Sequence, residues 1–447
     1  MTNGAYGPAT AVGAPHGPAA LSGLRPSEVR DVRLLDGTLA DLVLVDGRIS
    51  SVRRTEDRTT RSATAPDAVV LDATGWRYVP AASEPHAHLD KALTWARTDP
   101  DAGNDLPTAI TQWRALVPGI DRADLLDRAR AAVGTYVANG ITSIRTHVDA
   151  LLDGDPLRGV DALVALREEL AGVIDLQVCL LAGQDTATDV IREGIARGVD
   201  VVGGCPHLAD DPSYQTRRAL DLAEQHGLPV DLHTDEQTDP RSIDLLDLAE
   251  QVVARGMQQL VTASHCVRLG SLTSARLAPV LDAVAAAGIG IVTLPITNLY
   301  LQGWDVDGVV PRGLPNLRAI LDAGIPLAAG ADNLRDPFNP VGRADPFETT
   351  SLLVTAGHLT VGESLAAVTT GARTVLGLPQ VGAEAGCAAD FLLVPDVPVA
   401  DVLAGAEAAR VVLHGGRVVA DTRVSRSLDL TAGSTATRSL TPSLPTR

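Results

Sequence analysis

His86 and His88 stand one residue apart in a run, Tyr78–Lys91, that reads as a strand. Side chains i and i+2 of a strand leave the same face, so the two imidazoles converge on one point, which is half of a metal site. Lys91 closes the run and is the only lysine among 37 basic residues, all the others being arginine. A chain that uses arginine wherever charge alone matters, yet keeps one lysine beside a histidine pair, points to a compact charge in a tight pocket, in contact with substrate. A planar guanidinium does that poorly. The plain alternative is a solvated surface lysine.

Residues of the same chemistry end other strand-like runs: His147; Asp231, His233, Asp235 and Glu236; His265 with Cys266; Asp332 with Asn333. Three neutral imidazoles and one carboxylate suit a single borderline divalent cation with a position left for water. His86, His88, His233 and Asp332 are the expected ligands, and a cation there would lower the pKa of coordinated water to roughly 7. Asp332 would also accept the water proton, and His265, one strand over, would orient the nucleophile. Glu236, on the loop beyond His233, is the expected general acid/base, carrying a proton from water to a ring nitrogen and then to a leaving amine. As a loop carboxylate it could equally be solvated. His147 fits a supporting histidine, a ligand or a satisfied core histidine.

Two absences narrow the chemistry. Val199–His207 holds no lysine, so no carbamylated lysine bridges two metals there and one ion is expected. No H-x-E followed by P-C-x-x-C occurs, which excludes the small zinc nucleobase deaminase domain.

The elements that must position these residues follow a repeated phrase. An amphipathic stretch ends at a glycine and a β-rich run begins: at Gly140, Gly172, Gly198, Gly227, Gly256, Gly288 and Gly324. Glycine just past a helix takes the left-handed conformation that ends it. Leu125, Leu126, Ala129, Val133, Tyr136 and Val137 give the apolar stripe of one such helix. Seven such strands plus the one carrying His86 make eight, the number that closes a parallel barrel with its chemistry at the strands' C-terminal ends. An open doubly wound sheet is the alternative, but no G-x-G-x-x-G follows the first strand. Both flanks read as β-hairpins: Leu42–Ile49 around an Asp-Gly turn, then Phe391–Val394 and Val411–Val419.

The expected fold is therefore α/β: a distorted (β/α)8 TIM barrel over 76–375, with a small composite β-sandwich from both chain ends, 25–75 and 376–425. Residues 1–24 and 426–447 read as disordered.

Composition agrees. A formal charge of −18 argues against nucleic acid, whose phosphates need a basic surface. With 45% hydrophobic but only 3% aromatic residues, the core must be aliphatic, as in a helix-covered parallel sheet. The four cysteines form no C-x-x-C pair and indicate neither disulfide scaffold nor zinc knuckle. No apolar run spans a bilayer and no secretory signal opens the chain, so a cytoplasmic enzyme without membrane partners is expected.

Taken together, Glu84–Lys91, Ile144–Asp149, His233–Glu236, Ser264–Cys266, Leu294–Leu299 and Asp332–Phe338 resemble the cytosine deaminase group of the amidohydrolase superfamily. The resemblance covers about residues 40–420 and implies one zinc or iron ion and hydrolytic removal of an amino group from a nitrogen heterocycle such as cytosine or a related oxo-pyrimidine. It supports the ligand and proton-transfer roles above and suggests a homo-oligomer. It also places Gln184 on the amide edge of the substrate, where a side-chain amide can donate and accept at once. Asn333 and Phe338 are substrate-binding by the same resemblance, standing where the best-known bacterial members have a second aspartate and a tryptophan. Ala182 and Gly183 replace a Phe-Pro pair and open the pocket beside Gln184. Other readings are an N-alkylamine or triazine aminohydrolase resembling N-isopropylammelide amidohydrolase, a cyclic amide hydrolase, disfavoured by the missing bridging lysine, and a metal-binding scaffold without activity.

Overall fold

A computed structural model describes residues 21–54, 68–239 and 243–424. The ends expected to be disordered lie outside these residues, apart from 21–24. There Leu21 and Leu24 pack against the smaller of the two main apolar cores.

Eight parallel strands form the barrel: β6 (Ala82–Ala87), β7 (Ile141–Asp149), β8 (Asp175–Ala182), β9 (Val201–Gly204), β10 (Val230–Thr234), β11 (Val261–His265), β12 (Gly290–Thr293) and β13 (Leu327–Ala329). They pair in chain order, and the ring closes through a parallel bridge between Ala87 and Asp332. All seven glycines named above have positive φ, so the repeated phrase is indeed helix, left-handed cap, strand. The helix Arg122–Ala138 buries Leu125, Ala129, Val133, Tyr136 and Val137 against the barrel, with Leu126 half-buried and Asp121 capping its first turn. Its buried leucine and valines contribute about 1.5–3 kcal/mol each.

Gly330 leaves room for a buried carboxylate beside the last strand. A Cβ there would sit 1.9 Å from Glu84 Oε1. Glu84 lies between the first and last strands, accepting from Ala331 N at 2.9 Å and from His86 N at 3.2 Å. Burial raises its carboxyl to a pKa of about 8.

The second sheet is built by both chain ends. β1 (Glu28–Arg33), β2 (Leu39–Val45), β3 (Arg48–Arg54), β4 (Val70–Asp72) and β5 (Trp76–Pro80) join β14 (Phe391–Pro395), β15 (Arg410–His414) and β16 (Arg417–Thr422). These eight strands are linked by hydrogen bonds into one continuous sheet. Its halves meet where Ala389 N donates to Gly47 O, and together they enclose Val29, Leu42, Ile49, Phe391 and Leu413.

The run Tyr78–Lys91, read as one strand, is two. β5 pairs with β14 in the small sheet, and β6 begins the barrel beside β7. Ala81 intervenes, buried like its neighbours, so no alternation of polarity marks the change of sheet. The four cysteines are free, and no helix among the described residues is long and apolar enough to cross a membrane.

Candidate active site

The strands' C-terminal ends bring the histidines together. His233 Nε2 lies 3.1 Å from His86 Nε2 and 3.2 Å from His88 Nε2. Asp332 Oδ1 lies 3.3 Å from His88 Nε2 and 3.8 Å from His86 Nε2. Ligands about 2.0–2.1 Å from a tetrahedral ion are separated by roughly 3.4 Å, which each of these four distances approaches. Burial, with the neighbouring imidazoles adding to it, holds His86 and His233 well below the usual histidine range. His88 is lowered the same way, with Lys91 as a further cause. Neutral imidazole is the form a cation requires. Burial, reinforced by the carboxylates of Glu236, Asp336 and Glu84, pushes Asp332 well above the carboxylate range, a repulsion that a cation would relieve.

Ring orientation is set from behind. Ser264 donates its hydroxyl hydrogen to Asp231 Oδ1 at 2.8 Å, so its oxygen accepts from His86 Nδ1 at 2.9 Å. That fixes the His86 tautomer and aims the Nε2 lone pair at the site. Arg145 donates to the other Asp231 oxygen at 2.8 Å. Burial alone would raise Asp231, yet His147 and Arg145 hold it down to about 2. His147 stacks on His86 with ring centroids 3.9 Å apart and lies 3.6 Å from Asp231, so it supports the cluster from beneath.

Backbone turns present the remaining groups. Asp235, His265 and Asp332 all adopt positive φ, uncommon for residues with a Cβ. Asp235 turns away, accepting from Asp244 N and Leu245 N at the start of the next helix. Glu236 is left facing the cavity, Oε1 3.6 Å from His265 Nδ1 and Oε2 3.3 Å from His207 Nε2. Burial opposes its ionisation, but His265 and His207 together hold it below the usual range. Asn298 donates to His265 Nδ1 at 3.1 Å, which leaves the hydrogen on Nε2, the nitrogen turned toward His86 and His233.

All the expected site residues except His86 line one cavity of about 410 Å³; His86 lies behind it, fully buried. Lys91 is buried rather than solvated. Its ammonium donates to Asp149 Oδ1 at 2.7 Å and Asp90 Oδ2 at 3.3 Å and faces His88 Nδ1 at 3.2 Å. Gln184 stands exposed at the rim, its oxygen taken by Asp210 N at 2.8 Å. Asn333 donates to Asp336, which also accepts from Phe338 N and so shapes the loop that carries both.

Trp113 and His207 are among the cavity residues that the sequence pattern does not single out. Trp113, on the helix Leu106–Leu116 that forms one wall, donates to Asp149 Oδ2 at 2.8 Å. His207 follows β9, the strand-end position that had picked out the others, and that signal could have found it.

Comparison with known proteins gives the family. The family profile described as "Amidohydrolase family" matches residues 113–420. The chain belongs to this family.

This amidohydrolase is an enzyme acting hydrolytically on C–N bonds, and cytosine deaminase-like proteins are among its relatives. It is 32% identical over 394 residues to a pterin deaminase from Rhizobium rhizogenes, covering 85% of this chain and 87% of that one. It is 24% identical over 346 residues to N-isopropylammelide isopropyl amidohydrolase from a Pseudomonas species, covering 72% and 81%. The crystal structure of 5-methylcytosine deaminase from Klebsiella pneumoniae, liganded with 5-fluorocytosine, superposes with a TM-score of 0.81 at 28% identity, over 90% of this amidohydrolase and 99% of that chain.

Proposed function

We propose that this amidohydrolase is a deaminase that removes an exocyclic amino group from a heterocycle containing an oxo-pyrimidine ring, using one divalent cation held by His86, His88, His233 and Asp332. The observation that carries this reading is the convergence of three imidazole nitrogens and a carboxylate oxygen at 3.1–3.8 Å, in a cavity that also holds Glu236. The cation, zinc or iron by its donor set, would supply Lewis acidity that makes water nucleophilic near neutral pH.

The chain's own residues do the rest. Glu236, kept ionised, takes a proton from the attacking water and gives it to the ring nitrogen, which makes the amino-bearing carbon more electrophilic. His265 donates from Nε2 and holds the nucleophile on line. Asp332 takes the second proton and passes it to the amino nitrogen. The C–N bond breaks, ammonia leaves, and the ring keeps a carbonyl and an N–H.

The cavity favours a fused or substituted ring over a bare pyrimidine. Its 410 Å³ falls in the range of pockets for larger ligands, about 300–1,000 Å³, and Leu106, Ile110 and Trp113 present an apolar wall. The named substrate of the Rhizobium relative, pterin, is such a fused ring, and 5-methylcytosine a substituted one. The same wall suits an N-alkyl substituent, which supports the alternative of an N-alkylamine hydrolase. An assay of released amine with pterin, 5-methylcytosine, cytosine and N-isopropylammelide separates the two. Ammonia from the pterin or cytosine rings is expected; isopropylamine alone would establish the alternative, and no amine from any would refute both. Glu236→Gln should keep the metal and lose about 10²–10⁴ in turnover; near-normal turnover would remove Glu236 from its role.

A further inference from the structure

We infer that His207 is a positioning residue for Glu236, an inference that rests on the deaminase reading of the site. His207 sits in the 3-10 turn Pro206–Leu208. Its Nδ1 lies 2.9 Å from the carbonyl oxygen of His233, and since a carbonyl only accepts, Nδ1 carries the hydrogen. That bond fixes the ring plane. It turns Nε2 toward Glu236 Oε2 at 3.3 Å, where the geometry falls short of a hydrogen bond, and for Nε2 to donate to the ionised carboxylate the ring must carry its second hydrogen, both nitrogens then being donors.

Glu236 gains a defined rotamer from this arrangement. Its backbone is held by Gln302, which donates to Glu236 O at 2.7 Å, but three side-chain torsions still separate the carboxylate from that anchor. With Oε2 against His207, Oε1 is the oxygen presented toward His265 at 3.6 Å. A proton shuttle must reach water and ring nitrogen in turn, and a displacement of about 1 Å can cost 10²-fold. The His207 side chain is itself buried and lines the cavity. Its two nitrogens address a ligand's backbone and the shuttle's side chain, so its ring ties the two together.

Two substitutions divide the ring's two contacts. His207→Asn can keep the bond to His233 O but is too short for Glu236, while His207→Gln keeps the reach to Glu236. In the zinc-loaded enzyme with pterin as probe substrate, His207→Asn should lower kcat by about 10–100-fold with KM and zinc content unchanged. His207→Gln should recover most of that loss. The inference is overturned by normal kcat in His207→Asn, by His207→Gln doing no better, or by zinc being lost along with kcat. A crystal structure of zinc-loaded His207→Asn tests the same point without turnover: Glu236 should leave its rotamer, and an unmoved carboxylate refutes the inference. Wild-type enzyme inert toward every ring would instead defeat the deaminase reading, leaving the structural test of His207 standing.

Discussion

Lys91→Met should destabilise this protein more than Lys91→Arg, and the reason lies in what the ammonium holds together. Its Nζ donates to Asp149 Oδ1 at 2.7 Å and to Asp90 Oδ2 at 3.3 Å. Asp149 in turn accepts from Trp113 Nε1, so one cation joins the loop after β6, the end of β7 and the helix walling the cavity. Although burial alone would lower its pKa, Asp149 and Asp90 push Lys91 up and keep it charged. Methionine has similar length and no charge, and it strands two carboxylates, one of them only 2% exposed. Breaking a buried pair costs about 3–5 kcal/mol, and because Asp149 is 22% exposed the lower end applies. Arginine keeps the charge but must fit a planar fork into a space walled by Trp113, whose ring centroid is 5.4 Å from Nζ. Overpacking of that kind costs about 1–3 kcal/mol. Turnover of Lys91→Arg should fall further than its stability, because a shift at Lys91 moves His88, 3.2 Å away. Urea unfolding, with metal content and kcat measured on the same samples, checks both. The double variant Lys91→Met/Asp149→Asn should lose less than the sum of its singles, by roughly 0.5–3 kcal/mol. Strict additivity, or Lys91→Met as stable as the parent, would refute the clamp.

Chelator dialysis should abolish turnover and lower resistance to urea, and adding back zinc or iron should restore both at one ion per chain. Saturation at 100 times Kd is worth about 2.7 kcal/mol, and two ions per chain by elemental analysis would contradict the single site. A pH effect should come from His414, whose Nδ1 lies 3.2 Å from Asp390 Oδ1 and Nε2 3.6 Å from Asp175 Oδ1. Burial lowers its pKa but the two carboxylates more than offset this, so the folded value is raised. The stabilisation is complete below the unfolded value of about 6.5 and is lost as pH rises through the folded one, with a slope of at most about 1.4 kcal/mol per pH unit. His414→Gln should flatten urea midpoints over that window, and an unchanged slope would rule His414 out.

The part of the site that was legible in the sequence is the part that spacing constrains. Barrel strands deliver side chains at their C-terminal ends, so His233, His265 and Asp332 could be found once the glycine caps had divided the chain, while the i, i+2 spacing marked His86 and His88. Each cap must reach a left-handed φ that side chains disfavour, which is why glycine marks them so consistently. The groups that orient the site obey no such spacing. Ser264 reaches His86 across 178 residues, and Asp231 reaches Arg145 across 86. His207 meets Glu236 only because β9 and β10 are neighbours in the ring. Side-chain identity alone also leaves a residue's protein partners out of view. Gln184 is expected to offer both ends of its amide to a substrate; its oxygen also accepts from Asp210 N, which leaves one lone pair and the NH₂ for that role. Lys91 lines the cavity, as expected of a charge in a tight pocket, and its ammonium also faces Asp149, Asp90 and His88. A lone lysine in an arginine-rich chain therefore signals a confined cation, while its counter-ions come from the tertiary fold: the loop carrying Asp90 and the strand end carrying Asp149 meet only when β6 lies beside β7.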